Sequence, residues 1–201
     1  SASCTEDTGY GQVYLFLGST LRTTSGAIQM SSADYIIRGG RDEIEGYGNA
    51  LAQGDIDADG LSDLLVGSYW EHPAAGSVFI FLGSSLLASA TTVLDVDDAD
   101  YEIIGESSSD SIGYQLAIAT GNFDGDGGSD IVIGAEDRGS NGSSYLVTAS
   151  TLIGAGSSTF SAADADCELV GESAGDSAGS SVSFVDDVDG DALDELLIGA
   201  P

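Results

Sequence analysis

The chain contains no lysine. Its basic residues are four arginines, Arg22, Arg38, Arg41 and Arg138, set against 34 Asp and Glu for a formal net charge of −30. Phosphate backbones are bound through clustered Lys and Arg, so this balance argues against nucleic-acid binding. Adhesion to anionic lipid is disfavoured for the same reason. No apolar run approaches the roughly 18 residues that a membrane-spanning helix needs, so no membrane insertion is expected. The opening stretch Ser-Ala-Ser-Cys-Thr-Glu-Asp has no basic segment followed by an apolar one, so a signal peptide is expected to be absent or removed ahead of this numbering. Two cysteines, Cys4 and Cys167, are too few for a disulfide framework, a zinc knuckle or a redox pair, and leave one bridge or two unrelated thiols as alternatives. The single histidine, His72, lies in the loop-like stretch Trp70-Glu71-His72-Pro73 and reads as a solvated loop residue. With no HExxH, no phosphate-binding glycine loop and no Ser-His-Asp arrangement, the chain is read as no enzyme. Disorder, the ordinary meaning of such acidity, fits poorly with 42% hydrophobic residues gathered in regular runs.

What is present is repetition. Gly11-Gln-Val-Tyr-Leu-Phe-Leu-Gly-Ser19 recurs as Gly76-Ser-Val-Phe-Ile-Phe-Leu-Gly-Ser84 and, more weakly, as Gly142-Ser-Ser-Tyr-Leu-Val-Thr-Ala-Ser150, at spacings of 65 and 66 residues. Ala33-Asp-Tyr, Ala99-Asp-Tyr and Ala165-Asp-Cys are each 66 apart. Cys167 thus fills a slot held elsewhere by Tyr35 and Tyr101, which favours a packing role for it. Three landmarks in one phase define a single array over 1–201, with repeats at about 11–75, 76–141 and 142–201. Each unit reads as four short strands rich in Ile, Val, Leu, Phe and Tyr, placed at about 115–120, 131–135, 77–83 and 101–105 in their respective passes. No stretch sustains a helical apolar period. The expected fold is all-β, with four-stranded antiparallel units arranged as β-propeller blades, and a solenoid of small sheets as the alternative.

The third landmark carries the chemistry. Asp55-Ile-Asp-Ala-Asp-Gly-Leu-Ser-Asp63, Asn122-Phe-Asp-Gly-Asp-Gly-Gly-Ser-Asp130 and Asp187-Val-Asp-Gly-Asp-Ala-Leu-Asp-Glu195 follow a DxDxDGxxD pattern. Carboxylates at positions 1, 3 and 5 can converge on one hard cation, position 7 offers a carbonyl and position 9 closes the shell. Oxygen-only ligation by several carboxylates suits Ca²⁺ better than Mg²⁺. The expected ligands are Asp55, Asp57, Asp59, Leu61 and Asp63 in the first loop. Those of the second are Asn122, Asp124, Asp126, Gly128 and Asp130; those of the third are Asp187, Asp189, Asp191, Leu193 and Glu195. Up to three Ca²⁺ ions are expected. Asn122 weakens the second site, and Ala192, standing where a turn glycine is wanted, makes the third the least favourable.

These residues resemble the FG-GAP repeats of integrin α-subunit propellers and their bacterial relatives. Tyr47-Gly48, Ile112-Gly113 and Ala178-Gly179 fall at the FG position; Val66-Gly-Ser68, Ile133-Gly-Ala135 and Ile198-Gly-Ala-Pro201 fall at the GAP position. No copy has the literal Phe-Gly pair. The resemblance implies a β-propeller with calcium in the hairpin between a blade's first two strands, an extracellular or cell-surface setting, adhesion or ligand binding, and no catalysis.

Counted this way, two blades are whole (49–105 and 115–171), flanked by half-blades at 12–39 and 181–199. Either the halves complete one blade between chains, as a two-chain ring or a head-to-tail fibre, or the chain is a segment of a longer propeller. The functional expectation is a calcium-stabilised extracellular module that binds a protein or glycan ligand or builds a surface structure. A self-assembling filament or coat subunit and a lectin-like propeller are the alternatives. Asn141-Gly142-Ser143 matches an N-glycosylation sequon. The proposed ligands use eleven carboxylates, so most of the acidity is left to the outer surface.

Overall fold

The computed structural model describes residues 11–39, 46–69, 75–108, 110–114 and 117–201. Cys4, Arg41, Trp70, His72 and the start of the strand expected at 115 lie outside them, as do any claims about a Cys4 bridge. The chain is all-β, with its strands in several sheets, none of them closed among the described residues. β1 (Gln12–Leu15) and β2 (Tyr35–Arg38) form an antiparallel pair. β3 (Leu51–Gly54), β4 (Asp63–Ser68), β5 (Ser77–Phe81) and β7 (Tyr101–Ile104) run as an antiparallel meander. β8 (Ile118–Gly121), β9 (Asp130–Ala135), β10 (Ser143–Val147) and β12 (Cys167–Val170) repeat that meander in the next unit. β13 (Ser181–Val185) and β14 (Glu195–Gly199) form a second two-stranded piece. The four strand positions read from the repeats are occupied by strands.

Two further short strands connect neighbouring units. β6 (Val93–Asp95) adds to β2 of the preceding unit, and β11 (Thr159–Ser161) adds to β7 of the preceding unit, both in parallel. They escaped the sequence reading because three residues are too few to show a period. Each places an apolar residue in its neighbour's core. Leu94 and then Val96 enter the cluster of Val13, Ile37, Val66 and Phe79; Phe160 and Ala162 enter that of Val78, Ile80 and Ile103. The central strands β5, β9 and β10 are buried along their whole length, which explains why their apolar residues run continuously instead of alternating.

Three short helices follow the third strand of each unit: α1 (Gly18–Leu21), α2 (Gly83–Ala88) and α3 (Ala149–Gly154). A single aspartate holds each one. Asp34 accepts from the Leu17 N–H and the Thr20 hydroxyl, Asp100 from the Leu82 N–H and the Ser85 hydroxyl, and Asp166 from the Thr148 N–H and the Thr151 hydroxyl. These are the aspartates of the Ala-Asp-Tyr landmark, so that repeat is explained by capping. The Thr20 and Leu17 donors hold the Asp34 carboxyl below the usual carboxylate range. Nothing in the spacing of the landmark signalled this role.

The glycines at the FG and GAP positions set how closely the units approach. A methyl at Gly134 would overlap the carbonyl oxygen of Gly179, and one at Gly67 would overlap that of Gly113. Both obstacles are backbone and cannot swing aside. Gly113 and Gly179 also carry positive φ of 77° and 88°, which glycine tolerates without strain. Tyr69 is half-buried and packs edge-on against Tyr114 at 4.8 Å. Tyr47, in place of the family's Phe, stacks edge-on against Phe79 with its hydroxyl buried and unpartnered among the described residues.

Arg138 ties the second and third units. It bonds to Glu168 at 2.8 Å, to Glu106 and to the buried Asp110, and lies over the Tyr145 ring. Burial works against its charge, but these partners outweigh it and hold the guanidinium above its ordinary pKa. The sequon asparagine is also engaged, since Asn141 Nδ2 donates to the Gly171 carbonyl at 2.9 Å. Cys167 is exposed and free on β12.

Gly134→Ala is expected to lower unfolding free energy by about 2–3 kcal/mol. Gly154→Ala, at the end of α3 with nothing within 4 Å, should leave it unchanged or raise it slightly. Equilibrium denaturation of both variants checks the pair.

Candidate metal-binding loops

All three aspartate loops occupy the same place in their units, the hairpin between the first and second strands. Loop 1 joins β3 to β4, loop 2 joins β8 to β9, and loop 3 joins β13 to β14. Their backbone is shaped by the carboxylates themselves. In loop 1 the N–H groups of Asp59 and Gly60 donate to Asp55 at 3.0 and 2.9 Å, and the Leu61 N–H donates to Asp59 at 2.7 Å. Asn122 takes the first role in loop 2, accepting from Gly125 at 3.0 Å. Asp187 does so in loop 3, accepting from Gly190 at 2.6 Å. Side-chain oxygens that capture nearby backbone N–H groups are the ordinary means by which Asp and Asn make turns.

Each loop turns through two left-handed residues, at positions 4 and 6. These are Ala58 and Gly60 (φ 56° and 85°), Gly125 and Gly127 (78° and 96°), and Gly190 and Ala192 (89° and 73°). Ala192 therefore does carry the positive φ that alanine tolerates poorly. So does Ala58, at a position the sequence pattern leaves unspecified.

The position 9 carboxylates differ from the rest. Asp63 is 1% exposed and Asp130 is fully buried, whereas most other loop residues face solvent. Asp63 reaches in two directions: one oxygen accepts from the Ile56 N–H at 2.6 Å, inside the loop, and the other from the Gly83 N–H at 2.8 Å, at the start of α2. Asp130 does the same, accepting from Phe123 at 2.7 Å and from Ala149 of α3 at 3.0 Å. Glu195 accepts from the Val188 N–H at 2.6 Å. Burial pushes the Asp63 and Asp130 carboxyls above the usual range against the pull of those N–H donors. The neighbouring carboxylates Asp57 and Asp55 add to the rise at Asp63, and Asp124 adds to it at Asp130.

Two loops bring carboxylates together. Asp55, Asp57 and Asp63 in loop 1, and Asp187, Asp189, Asp191 and Glu195 in loop 3, each offer oxygens that all lie within 4.8 Å of one another. Asp59 stands outside the first group, turned to the Leu61 N–H. Asp124, Asp126 and Asp130 do not form such a group in loop 2. There Asp126 accepts from Gly128 and Asp124 from Asp126. Leu61, Gly128 and Leu193 hold position 7 in each loop. Clustered carboxylate oxygens, one of them buried with its charged form disfavoured, fit a hard divalent cation, which would relieve both burial and mutual repulsion.

The loops are also joined to one another. The Ser129 N–H donates to the Asp55 carbonyl at 2.7 Å, and the Asp55 N–H to the Ser129 hydroxyl at 3.1 Å. Asp194 and Asn122 exchange an equivalent pair, at 3.2 and 2.8 Å. Position 8 of loops 2 and 3 thus grips position 1 of the loop before it. Sequence reasoning assigned position 8 no role, and its chemistry, Ser in one loop and Asp in another, carries no recognisable motif.

Residues 47–81 match the sequence model of the FG-GAP repeat. The chain carries an FG-GAP repeat. The matched segment runs from the FG glycine through loop 1 and the GAP glycine to the end of β5, so it contains the carboxylate cluster of loop 1. No curated protein matches the chain. An FG-GAP repeat points to an integrin-like, β-propeller-type module; such repeats are generally non-enzymatic and occur in extracellular proteins. Among the described residues no helix is long and apolar enough to cross a membrane.

Two outcomes are expected. Ala192→Gly removes the left-handed alanine and should stabilise the chain by about 1 kcal/mol, measured by chemical denaturation. The second concerns pH in the presence of chelator. A folded-state pKa above the unfolded one means that the native state binds more protons, so the Asp63 contribution falls as pH rises above about 4 and through the elevated folded value. Wild type should therefore lose stability relative to Asp63→Asn across that window, and a flat difference between the two would count against the buried charge.

Proposed function

We propose that this chain is a non-catalytic, calcium-stabilised FG-GAP module of the β-propeller type, with its four-stranded meanders as blades, working outside the cell in adhesion, ligand binding or surface assembly. The observation that carries the reading is the gathering of carboxylates at one equivalent hairpin, with Asp63 buried beneath the first cluster. Asp55, Asp57 and Asp63 would hold one ion and Asp187, Asp189, Asp191 and Glu195 another. Loop 2, with Asn122 and the dispersed Asp124, Asp126 and Asp130, is the weakest of the three. Bound Ca²⁺ supplies charge neutralisation, not reaction chemistry. The chain's own residues do the mechanical work: position 9 transmits the state of the loop to the helix after the third strand, and position 8 transmits it to the preceding loop.

No aromatic cluster among the described residues speaks for the lectin-like alternative, and Trp70, the one tryptophan, lies outside them. The remaining acidity, away from the loops, suits a surface that stays soluble in a calcium-rich medium.

Ligand that binds only the folded state stabilises it by about 2.7 kcal/mol at a hundredfold excess over Kd. For a chain of this size that is about 5–10 °C in Tm per occupied site. Calcium is therefore expected to raise the unfolding temperature by at least this much over the chelated protein. Magnesium at equal ionic strength should raise it less, which separates ligation from general screening of the acidic surface. Equal unfolding curves in calcium and chelator would overturn the proposal.

A further inference from the structure

The aspartate loops touch in chain order, and the residues that touch include the expected ligands. Gly128, Ser129 and Asp130, positions 7 to 9 of loop 2, all bear on positions 1 and 2 of loop 1. Ser129 takes hold of Asp55, accepting its N–H on the hydroxyl at 3.1 Å and donating its own N–H to the Asp55 carbonyl at 2.7 Å. Gly128 lies against the residue after Asp55. A methyl there would stand 3.2 Å from the Ile56 carbonyl oxygen and 2.9 Å from Ala149 Cβ. Asp130 reaches the same place through α3, because it accepts from the Ala149 N–H at 3.0 Å and Ala149 shares a core cluster with Ile56. Ile56 in turn donates its N–H to Asp63 at 2.6 Å. The buried carboxylates of the two loops are thus joined by one short path, from Asp63 through Ile56 and Ala149 to Asp130.

Loop 3 bears on loop 2 in a similar way. Asp194 donates its N–H to the Asn122 carbonyl at 3.2 Å and accepts the Asn122 N–H at 2.8 Å. A methyl at Gly125, position 4 of loop 2, would stand 2.8 Å from the Leu193 side chain. Loop 2 is therefore held from both sides, by loop 1 at positions 7 to 9 and by loop 3 at positions 1 and 4.

The loop in the middle is also the one whose ligands are apart. Loops 1 and 3 have carboxylate oxygens within 4.8 Å of one another, whereas in loop 2 Asp124 and Asp126 are turned to the N–H groups of Asp126 and Gly128. Loop 2 has to close about an ion, and the residues that close include Gly128 and Asp130, seated on loop 1, and Asn122, held by loop 3. An ion in loop 1 fixes Asp55 and Asp63, and with them the surface on which Gly128 and Asp130 rest. A site whose closed form is favoured by a first ligand binds the next one more tightly.

We infer that the loops take up cation in a coupled order, loops 1 and 3 first and loop 2 after them, with the affinity of loop 2 raised through the clamps at Ser129 and Asp194. The inference rests on the calcium reading above and adds a regulation to it: loop 2 responds to whether its neighbours are filled. Coupling of affinities is reciprocal, so a filled loop 2 tightens loops 1 and 3 by the same factor. Ser129 and Asp194 act as positioning residues, because neither belongs to the expected ligand sets.

A calcium titration followed through the backbone amide signals of Gly60, Gly127 and Gly190, one in each loop, tests the order and the coupling. Gly60 and Gly190 are expected to saturate first and Gly127 at higher free calcium. In Ser129→Ala, folded by circular dichroism, the Gly127 midpoint should move up by about tenfold. The Gly60 midpoint should move little, since loop 1 fills before loop 2 can act back on it. Ser129→Thr, which keeps the hydroxyl, should restore the parent midpoint. Asp63→Asn, which disables loop 1, should shift Gly127 in the same direction, and adding Ser129→Ala to it should shift Gly127 little further. A Gly127 midpoint unmoved in Ser129→Ala, or Gly127 saturating before its neighbours, would overturn the coupling and leave calcium binding standing. No saturable shift at any of the three glycines would overturn the calcium reading and the coupling with it.

Discussion

The structure turns on a buried carboxylate at the start of the second strand of a unit. Asp63 and Asp130 each sit between a loop that bends back on itself and a helix that begins beyond the next strand, and each accepts a backbone N–H from the loop on one oxygen and from the helix start on the other. A neutral side chain could accept at one of these points, but an ionised carboxyl can serve both with equal strength. The cost is a negative charge held away from water near other carboxylates, which raises its pKa. A divalent cation held by the cluster would relieve that conflict.

Coupling between units uses different physics. Glycines without side chains let the FG and GAP segments touch backbone to backbone, short parallel strands carry an apolar residue into the preceding core, and position 8 of one loop grips position 1 of the loop before it. Each device works between nearest neighbours only.

Much of this was legible in the sequence because repetition converts weak local signals into a register. The apolar runs at 77–83, 101–105 and 131–135 fixed strand positions, and the Asp-x-Asp-x-Asp spacing located the loops in hairpins. The remainder was hidden for physical reasons. Helices α1 to α3 are at most six residues long and are held by a distant aspartate, so they have no period to detect. β6 and β11 are three residues each and pair across units. Within the loops, spacing ranked the third last for its alanine, yet that loop gathers four carboxylates and the second gathers no such group. Ligand spacing along the chain records which residues are available, while convergence depends on how each turn is held, as the diversion of Asp59 to the Leu61 N–H shows.

The central claim is that the buried position 9 carboxylate forms the floor of a cation site. Calorimetric titration of calcium into the chain and into Asp63→Asn measures this directly. The account predicts saturable binding in the parent and the loss of one site in the variant while the remaining binding persists. An unchanged stoichiometry and affinity in Asp63→Asn, or no saturable binding to the parent, would contradict it.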